Sequence, residues 1–233
     1  MKKTDLSLIL ACFNEGPTLK HSLMQIVEML ESLKYNWEII AIDDNSLDST
    51  YQKLIEFSKT RKNISVFKNP FNIGRGGSVA QGIKKSKGEI VGFIDVDLEI
   101  SPVYITQFIR AVENGAVLAI ATRIYKESLT SLNRWVLSKG YNLLITKMLD
   151  LYIKDTEAGF KFFNRKKILP ILKTVKDKKW FFDTEIIARA NSKKLKIVEI
   201  PVLFLRRHDK KSTVRIIPDI LAYLKAIYLF KKQ

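Results

Sequence analysis

The sequence predicts an α/β fold with a mostly parallel central sheet flanked by helices. Three observations carry that expectation. Near-continuous apolar runs recur, as in LSLILA (6–11), WEIIAI (37–42) and EIVGFI (89–94). Segments with apolar residues at helical spacing separate them. Acidic residues follow several of the runs directly. Strands apolar on both faces need cover on both sides, which helices packed on a parallel sheet provide.

LSLILA reads as the first buried strand. A helix follows, with Pro17 near its start and Leu19, Leu23, Ile26, Val27, Leu30 and Leu33 at helical spacing. WEIIAI is the second strand and runs into Asp43-Asp44-Asn45-Ser46; a helix over roughly Ser49 to Lys59 comes next. ISVF (64–67) is a third strand, and NPFNIGRGGS (69–78) is a Gly-rich turn leading into a helix with Val79, Ile83 and Lys84. EIVGFI is the fourth strand, followed by a helix near 102–114 and a strand at VLAIA (117–121). Residues 130–151 read as a helix or two, KDTEAGFKFF (154–163) enters a strand, WFFDTEIIARA (180–190) is helical and LKIVEIPVLFL (195–205) is strand-like. The tail, 216–232, puts Ile220, Leu221, Leu224, Ile227 and Tyr228 on one helical face. Such a helix either packs on the core or lies on a membrane surface.

The 233 residues, 46% hydrophobic, suffice for one sizeable core. The single cysteine, Cys12, excludes an intrachain disulfide and zinc-finger spacing, and fits a reducing compartment. The first residues do not read as a signal peptide, and no uninterrupted apolar run reaches the roughly 18 residues of a membrane span. The net charge of +16 is unevenly placed: residues 161–233 hold 20 Lys/Arg against 6 Asp/Glu, and the first 160 hold 20 against 18. A basic C-terminal third suits nucleic acid, an anionic membrane surface or a phosphorylated substrate, although solubility alone would also account for it.

In a parallel sheet, ligands bind outside the carboxyl ends of the strands. Glu15, Asp43 with Asp44, and the DVDLE segment (Asp95, Val96, Asp97, Leu98, Glu99) all collect at that edge. In an extended chain Asp95, Asp97 and Glu99 would share one side. Their mutual repulsion would be relieved by Mg²⁺ or Mn²⁺, held by one or two carboxylates together with substrate phosphates. A solvated acidic turn would contain the same residues. Asp43 and Asp44 can accept from the N–H or O–H groups of a base or ribose, while Asp48 or Ser49 caps the next helix. The Gly-rich NIGRGGS segment is either a phosphate cradle in which Arg75 supplies charge, or a plain turn. Asp155 and Glu157 precede a Gly-aromatic strand entry, and Arg206, Arg207, Lys210 and Lys211 cluster as an anion site or a solvated loop.

Together these motifs resemble family 2 glycosyltransferases with a GT-A fold, in particular the dolichyl- or polyprenyl-phosphate sugar synthases, over about residues 5 to 215. ACFNE (11–15) resembles the family's PxYNE, with Ala11 for Pro and Phe13 for Tyr. IDDNSLDST, GRGGSVAQGIKKSKGE, DVDLE, ATRIY, DTEAGFKFF and FFDTEIIARA look like the family's further segments. PVLFLRRHDKKST resembles PIxFxxRxxGxSK, but Lys210 stands where Gly is usual and Thr213 where Lys is usual.

The resemblance implies a catalytic domain over 1–215 with a separate amphipathic helix over 216–233. It implies that Ala11, Phe13, Glu15, Ile42, Asp43 and Asp44 hold base and ribose. Asp95, Val96 and Asp97, with Glu99, would meet the metal and diphosphate, and Asp97 would be the surest ligand. Arg123 and Arg207 would meet phosphates, with Lys211 in place of the lysine missing at Thr213. Asp155 would lie near the acceptor. The implied reaction is inverting transfer of a hexose from a nucleotide-sugar to dolichyl or polyprenyl phosphate, whose oxygen needs little general-base help. The expected setting is cytoplasmic, peripheral on an anionic membrane face, with room for a membrane-protein partner and no nucleic acid. A saccharide or protein acceptor, a nucleotidyltransferase and a nucleic-acid-binding module are the alternatives. The last leaves a carboxylate-rich strand edge unexplained.

Overall fold

The computed structural model describes residues 3–125, 148–206 and 216–232, with side chains in the last span described from residue 222. Its strands are β1 (Leu6–Cys12), β2 (Trp37–Asp43), β3 (Ile64–Lys68), β4 (Ile90–Ile94), β5 (Leu118–Tyr125), β6 (Phe160–Asn164) and β7 (Ile197–Phe204). They form one seven-stranded sheet in the order β3-β2-β1-β4-β6-β5-β7. Neighbours are parallel except at β6, which is antiparallel to both β4 and β5. The mostly parallel sheet expected from sequence is therefore present. The reversal at β6 brings the start of that strand, rather than its end, to the carboxyl edge.

The helices are α1 (Leu19–Glu31), α2 (Thr50–Ser58), α3 (Arg75–Lys85), α4 (Ile105–Glu113), α5 (Arg165–Leu172), α6 (Phe182–Ser192) and α7 (Ile216–Lys231). Alternation along the strands gives two cores. Leu6, Leu8 and Leu10 of β1 pack with α1, α2 and α4 on one face. Ile9 packs with α3, α5, α6 and α7 on the other. This two-period switch of side chains is the reason apolar runs appear unbroken in the sequence.

Several boundaries differ from the sequence reading. α3 starts at Arg75, inside the expected turn, after Gly74 at φ +92°. Its glycines are consumed by packing: a Cβ at Gly76 would lie 2.3 Å from Phe182 Cβ. α5 was not anticipated, because Pro170 lies inside it; Asn164 starts it by accepting a hydrogen bond from the Lys167 N–H at 3.1 Å. The expected helices of 130–151 fall mostly outside the described residues. No described helix is long and apolar enough to cross a membrane.

Of the α7 face read from the sequence, Ile227 is buried but Leu224 and Tyr228 are not. Tyr223 and Ile227 are buried and Phe230 is partly so, whereas Leu224 and Tyr228 are 40% and 55% exposed. Tyr223 goes inward because its hydroxyl finds a buried partner in Thr184, so the ring can be covered without stranding its polar end.

Gly82 on α3 faces Ile9 on β1, where an added Cβ would meet Ile9 Cγ2 at 2.3 Å. Alanine gains about 1 kcal/mol in helix propensity, but Ile9 is β-branched and boxed in by the sheet. We expect Gly82→Ala to lower the unfolding free energy by about 1–3 kcal/mol, read as a lower urea midpoint at unchanged slope.

Candidate functional site

The carboxyl ends of β1, β2, β4, β5 and β7, with the amino end of β6, converge on one edge of the sheet. The loops after β1 and β2 are stitched together there. Asn14 and Asn45 sit in the left-handed region at φ 55° and 61°. The N–H of Asn14 donates to Ser46 Oγ, that of Glu15 to Thr50 Oγ1, and that of Gly16 to Asp48 Oδ2. Asp48 also takes the Thr50 N–H at 2.9 Å from just ahead of the helix, while Ser49 at the N-cap position makes no side-chain capping bond.

The paired aspartates divide their work. Asp44 is spent on its own chain: Oδ1 accepts from Asn69 Nδ2 and the Ile73 N–H, and Oδ2 from the Gly74 N–H. It shapes the approach to α3. Asp43 is fully buried, its Oδ2 accepts from the Ser46 N–H at 3.2 Å, and its Oδ1 has no partner among the described residues. An orphaned buried acceptor is rare in a folded chain and is the kind of group a bound donor would satisfy. Ile42 and Val96 have buried side chains, so only their backbones remain for a ligand, while Ala11, Phe13 and Glu15 are partly exposed.

The DVDLE segment is not an extended strand end. β4 stops at Ile94, and the chain turns with a hydrogen bond from the Leu98 N–H to the Asp95 carbonyl at 3.3 Å, with Leu98 at φ 55°. The same-side rule for extended chain therefore does not set its geometry. Among the described residues no three Asp, Glu, His or Cys side chains form a group able to hold a metal ion. Glu99 is turned into the structure through its backbone, its carbonyl accepting from the Leu205 N–H at 2.8 Å.

Asp95 is the anchor of this turn. Its N–H donates to the Gly159 carbonyl at 2.9 Å. Its Oδ1 accepts from Arg75 Nε at 2.8 Å, and Arg75 Nη2 lies 2.7 Å from the same oxygen, off the line of a hydrogen bond. Arg75 Nη1 then donates to Asp183 Oδ2 on α6, and Asp183 Oδ1 accepts from Lys161 Nζ on β6 at 2.7 Å. Lys161 is completely buried and also donates to the Ala158 carbonyl. Both cations lie against the Phe93 ring, at 5.3 and 5.5 Å from its centroid.

Charge and burial set the protonation of this chain of groups. Burial pushes the Asp95 carboxyl up, Arg75 opposes the rise, and the nearby Asp97 adds to it. Burial alone would disfavour charged Arg75, but Asp95 and Asp183 outweigh that and hold the guanidinium charged. Burial pulls Lys161 below its ordinary value against the pull of Asp183. Gly159 leaves the room: a Cβ there would lie 1.7 Å from Asp95 Oδ2 and 2.6 Å from Arg75 Nη2. The donor set is all oxygen, and Asp95 keeps its side chain 44% exposed beside Asp97. That fits a Mg²⁺- or Mn²⁺-class ion sharing one or two carboxylates with a ligand's phosphates, and does not fit a cage made by the protein alone.

On the far side of β6, Arg123 near the end of β5 grips Asp155. Nε donates to Oδ2 at 2.7 Å, Nη2 to Oδ1 at 2.9 Å, and the Arg123 N–H also reaches Oδ2. Burial opposes the Arg123 charge, and the Asp155 hydrogen bond and charge restore it. The guanidinium also lies 5.5 Å from the Phe204 ring centroid. Arg207, Lys211 and Thr213 lie outside the described residues. Sequence reasoning gave no role to Lys161 or Asp183, although a lysine set between phenylalanines in GFKFF is the visible sign of a buried charge.

Comparison with known proteins adds family to geometry. The model for glycosyl transferase family 2 matches residues 7–171. A dolichyl-phosphate beta-glucosyltransferase (ALG5D) of Trichomonas vaginalis is 28% identical over 84% of this chain and 64% of its own length. The dolichyl-phosphate beta-glucosyltransferase of Saccharomyces cerevisiae is 28% identical over 98% of this chain and 78% of its own. The glycosyltransferase AglD of Haloferax volcanii is 27% identical over 93% of this chain, which spans only 35% of it. Among solved structures, glucosyl-3-phosphoglycerate synthase from Mycobacterium tuberculosis, in complex with Mn²⁺, UDP and glucosyl-3-phosphoglycerate, superposes with a TM-score of 0.68. It is 17% identical, and the match covers 97% of this chain and 78% of that one. This likeness establishes the shared fold.

Removing the ammonium from the Lys161–Asp183 pair would leave a buried carboxylate with Arg75 alone. We expect Lys161→Met to cost roughly 3–5 kcal/mol of unfolding free energy, measured by urea titration.

Proposed function

The chain belongs to glycosyl transferase family 2, and from that premise we propose that it is an inverting, metal-dependent hexosyltransferase. Its donor would be a nucleotide-sugar of GDP-mannose or UDP-glucose type, and its acceptor dolichyl or another polyprenyl phosphate. The observation that carries the reading is the pairing of two charge stations on one sheet edge. Asp95 and Asp97 form the acidic one; Arg123, clamped by Asp155, forms the basic one. The dolichyl-phosphate beta-glucosyltransferase relatives support the lipid acceptor and favour glucose as the sugar.

In this reading Asp95 and Asp97 hold the divalent cation, with Glu99 adding negative charge nearby. A divalent cation bound there would offset charge on the departing nucleoside diphosphate. The chain's own residues do the rest. Asp43 Oδ1 accepts from a donor group of the base or ribose, beside Ala11, Phe13, Glu15 and the Ile42 backbone. Asp44 keeps the 69–74 segment in place. Arg75 fixes Asp95 rather than cradling phosphate directly. Asp155 takes Nε and Nη2 of Arg123, which leaves Nη1 to meet the acceptor phosphate. Arg207 and Lys211 would add charge to that phosphate. The phosphate oxygen is already a nucleophile, so catalysis is positioning: in-line attack on the anomeric carbon inverts it.

The chain would work peripherally at the cytoplasmic face of a membrane. Leu224, Tyr228 and Leu229 of α7 are exposed beside Lys225, Lys231 and Lys232, a composition suited to an anionic lipid surface.

The test is to incubate the protein with Mg²⁺ or Mn²⁺, dolichyl or undecaprenyl phosphate, and a panel of labelled UDP- and GDP-sugars. We expect chelator-sensitive movement of label into the organic extract. Label transferred to a water-soluble sugar or protein would select the other acceptor class. No transfer from any donor would sink the enzyme reading. Asp97→Ala should lower transfer by at least ~100-fold while the thermal unfolding midpoint stays near that of the wild type.

A further inference from the structure

The C-terminal helix reaches the acceptor station through side chains that the reaction itself does not use. Tyr223 of α7 places its Oη 2.6 Å from Thr184 Oγ1 on α6. Thr184 Oγ1 in turn lies 2.6 Å from Thr156 Oγ1. Thr156 is the neighbour of Asp155, whose carboxylate holds Arg123. The relative exposures of Thr156, Thr184 and Tyr223 are 1%, 0% and 9%.

We propose that Tyr223 is a positioning residue for the loop that carries Asp155, acting through this chain of buried hydroxyls. Each hydroxyl has one hydrogen to give and lone pairs to accept with. Buried away from water, such groups hold their partners in one arrangement, because a lost bond is not replaced by solvent. The loop between Asp150 and Gly159 has no ladder of its own, so its placement depends on side-chain ties of this kind.

The other end of the chain of hydroxyls is well anchored. The Tyr223 ring meets Phe181 edge-on at 5.2 Å, Phe230 meets the same Phe181 at 5.9 Å, and Arg189 lies 5.0 Å from the Phe230 ring centroid. Ile227 is completely buried between these contacts. α7 is thus a strut against α6, and its seating is transmitted to Asp155 and from there to Arg123. The catalytic part of the inference rests on the reading of Arg123 and Asp155 as the acceptor station; the positioning of the loop does not.

The experiment uses the full chain with Tyr223→Phe, which removes one oxygen and keeps the ring. Without substrates, we expect amide hydrogen exchange in peptides across 150–159 to accelerate about three- to tenfold, the worth of one buried hydrogen bond. Peptides from β1 and β4 should not change. With UDP-glucose and dolichyl phosphate in phosphatidylcholine vesicles, kcat/KM for the acceptor should fall by about the same factor while the donor KM holds. Thr184→Val should reproduce both effects, and Thr184→Ser should restore them.

Unchanged exchange at 150–159 in both Tyr223→Phe and Thr184→Val overturns the proposal, as does an acceleration spread equally over β1 and β4. Should Tyr223→Phe unfold the chain, the Thr184 pair decides on the same criteria. If the wild type transfers nothing from any donor, the enzymatic reading fails, and the exchange data still decide the positioning.

Discussion

The guanidinium of Arg75 is the tie on which the carboxyl edge depends. It begins α3, binds Asp95 after β4, and binds Asp183 on α6, which in turn neutralises Lys161 on β6. Removing Arg75 or Lys161 would leave the buried Asp183 carboxylate with a single cationic partner. Burial and the neighbouring Asp97 push the Asp95 carboxyl up, and Arg75 opposes that push. The geometry of the acidic station is therefore set from inside the protein, by the ties of Asp95 to Arg75 and of Arg75 to Asp183.

The loops around that tie are organised by the same economy. Asn14, Ser46, Asp48 and Thr50 bind the β1 and β2 loops to each other through side chains. Asp44 is consumed by the segment before α3, and Asp43 alone retains an unspent oxygen. Two adjacent aspartates of identical chemistry are thus placed differently, one tied to the 69–74 segment and one buried with a single oxygen lacking a partner among the described residues. The difference comes from which of them the 69–74 segment reaches.

Much of the fold was legible because β1, β2 and β4 each bury both faces, and each buried strand leaves a continuous apolar run. Strand direction was not legible, since a run such as FKFF reads the same whichever way it is laid in the sheet, so the reversal at β6 was not read from the sequence. α5 was hidden by Pro170, and the start of α3 by glycines such as Gly76, which serves a contact with Phe182. At the site, the residue types in DVDLE were legible and their geometry was not, because the left-handed Leu98 turns the chain. Arg75 and Asp183 are 108 positions apart, and no local pattern marks such a pair. The lysine within GFKFF was the one local sign, and its meaning required the knowledge that Lys161 faces α6 opposite Asp183.

The position of β6 has a consequence for assembly. It sits between β4 and β5, so both of those strands present open edges until residues 160–164 have been made and inserted. Lys161 shares its face with Phe163, while Phe160 and Phe162 fill the opposite core. A slip of one residue would drive the ammonium into the apolar layer around Phe108 and take it away from Asp183. The lysine therefore marks the register of the strand: only the correct alignment brings its charge to the Asp183 carboxylate, and a slipped one would bury it unpaired.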